Sequence, residues 1–173
     1  HIEQLDRAIA AVVQVFDERQ LIDRRPIPLS LERERLKTST LAFPGKILAD
    51  EAGGRLFIAD SNHHRVLIAS LAGEIRETIG QGTAGWVDGS FDHASFYRPQ
   101  GLALDGDLLY IADTENHRIR KVDTNGIIWT VAGGGSSPPV AGGIPATNAA
   151  LSYPYAVAVA HDGTLFIADN HNN

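Results

Sequence analysis

Aspartate and histidine side chains return at matching places along the chain, and these are the residues whose types and spacing could do chemistry. Each aspartate follows an Ile-Ala pair, and in two of the three copies a histidine lies four residues after it. The aspartates are Asp60, Asp113 and Asp169, and the histidines are His64 and His117. Because imidazole is a common zinc ligand, a ring of such histidines around one axis could hold a metal ion.

Two features of the sequence argue against a metal. The third copy of the pattern has Asn173 in place of the histidine, and no carboxylate or thiolate lies beside the histidines at a ligand spacing. The chain also contains no Ser-His-Asp, paired-carboxylate or Cys-His arrangement. We therefore expect no metal, no cofactor and no catalytic residue within this sequence.

A structural role suits the recurring residues better. An aspartate at the end of a strand can accept hydrogen bonds from the backbone N–H groups of the turn that follows. It can also form a charge-assisted bond with an arginine five residues later. We interpret the following as structural residues of the repeated turns: Asp60, Arg65, Asp113, Asn116, Arg118 and Asp169.

The elements that position these residues repeat with them. Pro44, Pro99 and Pro154 are separated by 99 − 44 = 55 and 154 − 99 = 55 residues. Between the prolines, β-branched runs and Gly-bearing turns predict four short strands in each full repeat. The predicted strands are 46–50, 55–59, 65–70 and 74–79, then 101–104, 108–112, 118–122 and 127–131, then 156–159 and 165–168.

Four short antiparallel strands in each repeat of this length indicate a β-propeller blade. The predicted fold class is all-β: a partial propeller of about two and a half four-stranded blades, preceded by a helix and a linker. The propeller region is 41–173, with blades at about 41–82, 96–133 and 151–173, the last incomplete. A two-sheet sandwich is the alternative, but it leaves the regular return of the motif unexplained.

Residues 2–18 predict an amphipathic helix, because Leu5, Ile9, Val12 and Phe16 recur at helical spacing. Such a helix could bind a partner. We favour a second interpretation, in which residues 1–22 form the last helix of a preceding domain. Residues 23–40 then form a linker, since its prolines cannot continue a helix.

The composition limits the classes of partner and the cellular location that we expect. The chain has no Cys and no Met, which predicts an internal fragment of a longer protein and a cytoplasmic location. No apolar run approaches the roughly 20 residues of a membrane span, so we expect no membrane partner. Residues 41–173 hold 15 − 7 = 8 basic and 21 − 7 = 14 acidic side chains. Because this surplus repels phosphate, we expect no nucleic-acid partner.

The repeated segments resemble the NHL repeat, named for an Asn-His-Leu signature. The resemblance rests on the Pro-x-Gly element and on the Ile-Ala-Asp-x-x-Asn-His-Arg-Ile pattern, which Asn116-His117-Arg118 fits best. His63 departs from it by standing in the Asn place. The resemblance implies a propeller, often of six blades. In the branch of the family that the chain most resembles, a thioredoxin-like domain precedes the repeats, and residues 1–22 would be the end of that domain.

The segments between blades are the remaining candidates for binding. Their ends align from repeat to repeat and are architectural, whereas their middles differ and are free to serve a ligand. Loops on a rigid scaffold carry many binding residues, and Trp and Arg are enriched at interaction hot spots. Trp86 could instead fill a gap between blades. The candidate binding residues are Trp86, Asp88, His93, Tyr97, Arg98, His64 and His117.

These observations predict a non-catalytic scaffold that binds a protein or a small ligand on the face of the interblade loops. Two enzymatic alternatives stay open: a thioredoxin-like redox enzyme with its catalytic domain upstream, and a propeller hydrolase or lyase with a metal in its channel. A propeller fragment of this size leaves strand edges open, so we also expect it to self-associate.

Overall fold

The computed structural model of the protein describes residues 2–22, 39–123, 125–138 and 143–172. They belong to two units, His1–Arg35 and Leu36–Asn173. The first contains helix α1 (Ile2–Glu18), and its apolar side chains from Leu5 to Phe16 are exposed. This is the predicted helix, whereas most of the predicted linker lies outside the described residues. No helix among the described residues is long and apolar enough to cross a membrane.

The described residues of the second unit form three antiparallel sheets, and every predicted strand is confirmed. The strands are β1 (Pro44–Asp50), β2 (Arg55–Asp60), β3 (Arg65–Ser70), β4 (Ile75–Ile79), β5 (Gly89–Ser90), β6 (Pro99–Asp105), β7 (Leu108–Asp113), β8 (Arg118–Val122), β9 (Ile127–Gly133), β10 (Pro154–Val159) and β11 (Leu165–Asp169). The first sheet has the order β1-β2-β3-β4, the second β5-β9-β8-β7-β6, and the third β10-β11.

The three sheets repeat one another in register. Pro44 pairs with Asp60, Pro99 with Asp113, and Pro154 with Asp169. The register shifts just after each proline, where the strand that begins with the proline (β1, β6 or β10) bulges. The second sheet departs from the prediction of four strands. The short β5, contributed by the preceding interblade loop, pairs with β9 as a fifth strand.

Apolar side chains pack between successive sheets. One core cluster joins Phe57 and Ile79 of the first sheet to Leu109 and Ile111 of the second. Phe96, from the interblade loop, is fully buried in the same cluster. Burying such a side chain contributes about 1.5–3 kcal/mol. A second cluster joins the second and third sheets, so adjacent sheets pack face to face as propeller blades do.

The backbones of adjacent sheets come close at one glycine. A Cβ atom at Gly101 on β6 would lie 2.6 Å from the Tyr155 carbonyl oxygen and 2.7 Å from Ala156 Cα on β10. Any larger residue would push the third sheet away from the second. Gly101, in the segment Pro99-Gln-Gly101, therefore allows the second sheet to pack closely against the third.

Candidate functional site

The repeated aspartates lie at the same place in each sheet and make the same two contacts. One carboxylate oxygen accepts a backbone N–H from the start of the same repeat, and the other accepts a side chain three residues after the aspartate. Asp60 accepts from Ala42 N and His63, Asp113 from Tyr97 N and Asn116, and Asp169 from Ser152 N and Asn172. The backbone donor lies 16 to 18 residues upstream, which corrects our expectation that it belongs to the turn itself.

The residues after each aspartate reach into the next repeat. Ser61 Oγ donates to the Pro99 carbonyl at 2.6 Å, and Thr114 Oγ1 donates to the Pro154 carbonyl at 2.8 Å. Both hydroxyl residues are buried. A short polar side chain at this position therefore connects each blade to the next, a role that the sequence pattern did not indicate.

The recurring histidines also connect adjacent blades. The backbone N–H of Arg98 donates to His64 Nδ1 at 3.2 Å, and that of Tyr153 donates to His117 Nδ1 at 3.0 Å. These bonds require neutral imidazoles with the proton on Nε2. Burial and the nearby charge of Arg98 lower the pKa of His64, which keeps it in this form.

This geometry also bears on the metal hypothesis. In both histidines the Nδ1 atom is occupied by a bond to the backbone, which leaves only Nε2 for any ligand. No group of three or more His, Cys, Asp or Glu side chains among the described residues is placed to hold a metal ion. Asn173, the third member of the set, lies outside those residues.

Acidification should weaken the blade connection at His64. Its folded pKa is lowered from 6.5, so its contribution to stability is complete above pH 6.5 and is lost as the pH falls through the folded pKa. A protonated Nδ1 would face the Arg98 N–H as a second donor. We expect His64→Asn to remove this loss, because Asn tolerates the left-handed backbone at this position (φ 53) and can present Oδ1 as an acceptor.

Urea unfolding at a series of pH values between 5 and 8 would measure the effect. The variant should match the parent above pH 7 and lose less stability on acidification. Equal pH slopes for the two proteins would contradict the prediction.

The most heavily bonded side chain of the site belongs to Arg120 on β8, which was not among our candidate residues. Its side chain is fully buried, and all five of its N–H donors have acceptors. Nε and Nη2 donate to Asp88 Oδ1 at 3.0 and 2.6 Å, and Nη1 donates to Asp113 Oδ2 at 2.9 Å. The remaining acceptors are the carbonyls of Val87 and Ser95, at 2.7 and 3.1 Å.

Arg120 therefore anchors the loop at residues 80–98, which corrects the expectation that the middle of this loop is free. Asp88 is bound to the guanidinium, and its Oδ2 also accepts from Thr130 N at 3.2 Å. We expected Asp88 to be available to a ligand. Its contacts instead make it part of the scaffold.

Arg118 was expected to pair with Asp113, as Arg65 does with Asp60 at 2.8 Å. That expectation is wrong, because Arg120 occupies Asp113 Oδ2. The Arg118 guanidinium carbon lies instead 4.4 Å from the centroid of the Trp86 ring. Trp86 is 62% exposed, so it does not fill a gap between blades.

The other candidate residues lie at two places in the loop. Tyr97 packs edge-on against His64 with 5.3 Å between ring centroids, and Arg98 lies 3.6 Å from Glu115. His93 is set apart: it is exposed and bonds to Ser90 within the loop. The structure thus brings five of the predicted residues to the end of the sheets that carries the repeated turns: His64, His117, Trp86, Tyr97 and Arg98.

Asp113 carries the largest electrostatic perturbation in the site. Burial raises its pKa to about 6, while the bonds from Asn116, Tyr97 N and Arg120 all act to lower it. The carboxylate is fully buried with its charged partner, so its ionised form depends on those donors.

A cavity of about 500 Å³ opens between the first and second sheets, near the end of the strands that lies opposite the repeated turns. Its lining is mixed: Phe57, Ile79 and Leu109 contribute apolar surface, and the charged side chains are those of Arg55, Glu77, Asp107 and Asp123. It contains none of the residues that the sequence singled out for binding. It is a competing location for a ligand.

Comparison with known proteins gives a consistent picture. Residues 96–122 match the NHL repeat family. The chain is 42% identical to NHL repeat-containing protein 2 of Gallus gallus over 134 residues, 77% of this chain and 18% of that protein. It is also 42% identical to the chloroplastic protein SUPPRESSOR OF QUENCHING 1 of Arabidopsis thaliana over 165 residues, 91% of this chain and 16% of that protein. The chain thus spans less than a fifth of these two relatives.

A solved structure supports the same fold. A structural genomics protein of unknown function from Bacteroides thetaiotaomicron superposes with a TM-score of 0.66 at 24% identity. The match covers 83% of this chain and 36% of that one. At this identity the likeness concerns the fold, which is an open set of propeller blades.

Proposed function

Since this chain belongs to the NHL-repeat β-propeller family, we propose that its sheets form a non-catalytic interaction module. The module binds a protein or a small ligand on the end of the blades that carries the interblade loop and the repeated turns. A partner with a phosphate backbone is disfavoured, because the chain has a net charge of −6.

One observation carries this proposal: the groups able to do chemistry are already bonded within the scaffold, whereas large side chains suited to contact are left exposed beside them. His64 and His117 each accept a backbone N–H. Asp60 and Asp113 are fully buried. By contrast, Trp86 is 62% exposed, on a loop that Arg120 holds in place. A rigid, exposed aromatic residue loses little entropy on binding and is a common anchor of interfaces.

The test is a selection from a displayed random-peptide library against the immobilised chain, followed by calorimetry with the selected peptides. We expect Trp86→Ala to weaken binding by about tenfold or more, the usual effect of removing an aromatic anchor. Arg98→Ala should weaken it less, because its side chain is half exposed and already lies near Glu115.

Glu77→Gln is the matched control, since Glu77 lines the cavity near the opposite end of the blades. It should bind like the parent. If Glu77→Gln loses affinity while Trp86→Ala keeps it, the ligand occupies the cavity and the proposed face is wrong. Unchanged melting temperatures would show that none of the variants acts through unfolding.

A further inference from the structure

Equivalent arginines in the first and second blades make different contacts. Arg65 and Arg118 both lie five residues after the repeated aspartate, at the start of the third strand of their sheets. Arg65 is bonded within its own blade: Nε donates to Asp60 at 2.8 Å and Nη2 to the Thr40 carbonyl at 2.9 Å. The Arg65 guanidinium is therefore part of the scaffold, as is the Asp60 carboxylate that it binds.

In the second blade, Arg118 at this position does not pair with the repeated aspartate. Arg120 supplies the charge that Asp113 needs, from two residues further along β8. Within the part of the chain that the structure describes, Arg118 has no carboxylate within ion-pair distance and no side-chain hydrogen bond. A guanidinium has five N–H donors, and none of those of Arg118 binds a carboxylate among the described residues.

Two neighbours nevertheless lie close to the guanidinium. The centroid of the Trp86 ring is 4.4 Å from the guanidinium carbon. A Cβ atom at Gly134 would lie within 2.8 Å of three guanidinium atoms, so a side chain there would require the group to shift. A planar cation that already packs on a ring loses less freedom when it binds.

We propose that Arg118 is the anion-binding residue of the interaction module, and that it takes a carboxylate whose apolar neighbour lies on the exposed part of Trp86. The proposal rests on the proposed function and names the chemistry of its ligand. A carboxylate fits better than a phosphate, because one guanidinium matches one carboxylate through two parallel bonds. The net charge of −6 on the chain also favours the ligand with the smaller negative charge.

The direct test uses 3-phenylpropionate and its uncharged analogue 3-phenylpropanamide on the full chain. The readout is the indole N–H signal of Trp86 in proton–nitrogen NMR spectra, assigned with Trp86→Phe, and the signal of Trp129 is the internal reference. We expect the carboxylate to shift the Trp86 signal along a saturable curve and the amide to leave it nearly unchanged.

Variants of the arginine sharpen the test. Arg118→Gln should raise the dissociation constant of 3-phenylpropionate by about tenfold, which is the loss of a charge-assisted pair. Arg118→Lys should recover only part of it, because an ammonium cannot make the two parallel bonds. Arg76→Gln, which removes an exposed arginine of β4, is the matched control and should bind normally.

Three results would overturn the proposal: equal shifts from the amide, unchanged binding by Arg118→Gln, or tighter binding of phenyl phosphate than of the carboxylate. The outcomes also separate this proposal from the function it rests on. Selected peptides that need Trp86 but tolerate Arg118→Gln would refute the carboxylate site alone. Saturable carboxylate binding without any selected peptide would refute the peptide-binding module and keep the site.

Discussion

Replacing Arg120 with alanine should destabilise the propeller unit by about 3–5 kcal/mol, the usual cost of removing one partner of a buried ion pair. Asp113 is fully buried and would keep only Tyr97 N and Asn116 as donors. The Ser95 carbonyl would lose its bond from Arg120 as well, and the Val87 carbonyl would keep only the backbone N–H of Ser95. The measurement is the free energy of unfolding in urea at neutral pH.

Arg118→Ala is the matched control for this prediction. It removes the same chemical group two residues away on the same strand, and it leaves no buried carboxylate behind. We expect it to cost less than about 1 kcal/mol, in the range of exposed cation–π contacts. Similar losses for the two variants would show that Arg120 contributes through packing of its side chain rather than through its charge.

The pH dependence of the Arg120→Ala effect adds an independent criterion. The folded pKa of Asp113 is about 6, above the value of 3.8 for an unperturbed aspartate. Ionisation of Asp113 therefore opposes folding above pH 6, and this penalty fades as the pH falls from 6 towards 4. Without Arg120 the pKa should rise further. The loss in Arg120→Ala should thus be larger at pH 7.5 than at pH 5, and a pH-independent loss would contradict the electrostatic explanation.

The strands and their order could be predicted because each one is specified locally. Runs such as Leu56-Phe-Ile-Ala-Asp60 and Leu109-Tyr-Ile-Ala-Asp113 recur with turn residues between them, and the recurrence shows that they are copies of one unit. The amphipathic helix was specified in the same way, by the spacing of its apolar residues. No contact between distant residues was needed for either prediction.

The partner of Asp113 could not be predicted, because it depends on such contacts. Arg118 and Arg120 both follow Asp113 closely enough to pair with it. The choice is set by Asp88, which is 32 residues away from Arg120 in sequence, and by the strand register. In the first sheet the third and fourth strands shift register between Ile68 and Ala69, but in the second they shift between Ile119 and Arg120.

One signal of Arg120 was nevertheless present in the sequence. The residue at the equivalent place in the first repeat is Leu67, seven residues after Asp60, as Arg120 is seven after Asp113. Leu67 is a fully buried core residue. A charged residue at a position that is apolar in the neighbouring repeat must find partners inside the protein. Comparison of the repeats position by position, rather than motif by motif, would have identified it.

Asp60→Ala should be the second most damaging substitution, with an expected loss of about 2–4 kcal/mol from unsatisfied buried polar groups. The carboxylate of Asp60 is fully buried and ties together three parts of the first repeat. Ala42 N donates to it at 2.7 Å, and Arg65 Nε and His63 Nδ1 each donate at 2.8 Å. Alanine would leave a buried N–H without an acceptor and two cationic or polar side chains without their anion. Thermal and urea unfolding of the variant would measure the loss.

Asp107→Ala provides the matched control, since Asp107 also binds an arginine at 2.8 Å but its side chain is 70% exposed. It should cost less than about 1 kcal/mol, as surface ion pairs do. High salt should weaken the Asp107 contact and leave the Asp60 contacts almost unchanged, because burial shields the latter from counterions. If both substitutions cost the same, or if salt removes the effect at Asp60, the repeated aspartate is a surface residue in solution. The structural role assigned to it here would then be wrong.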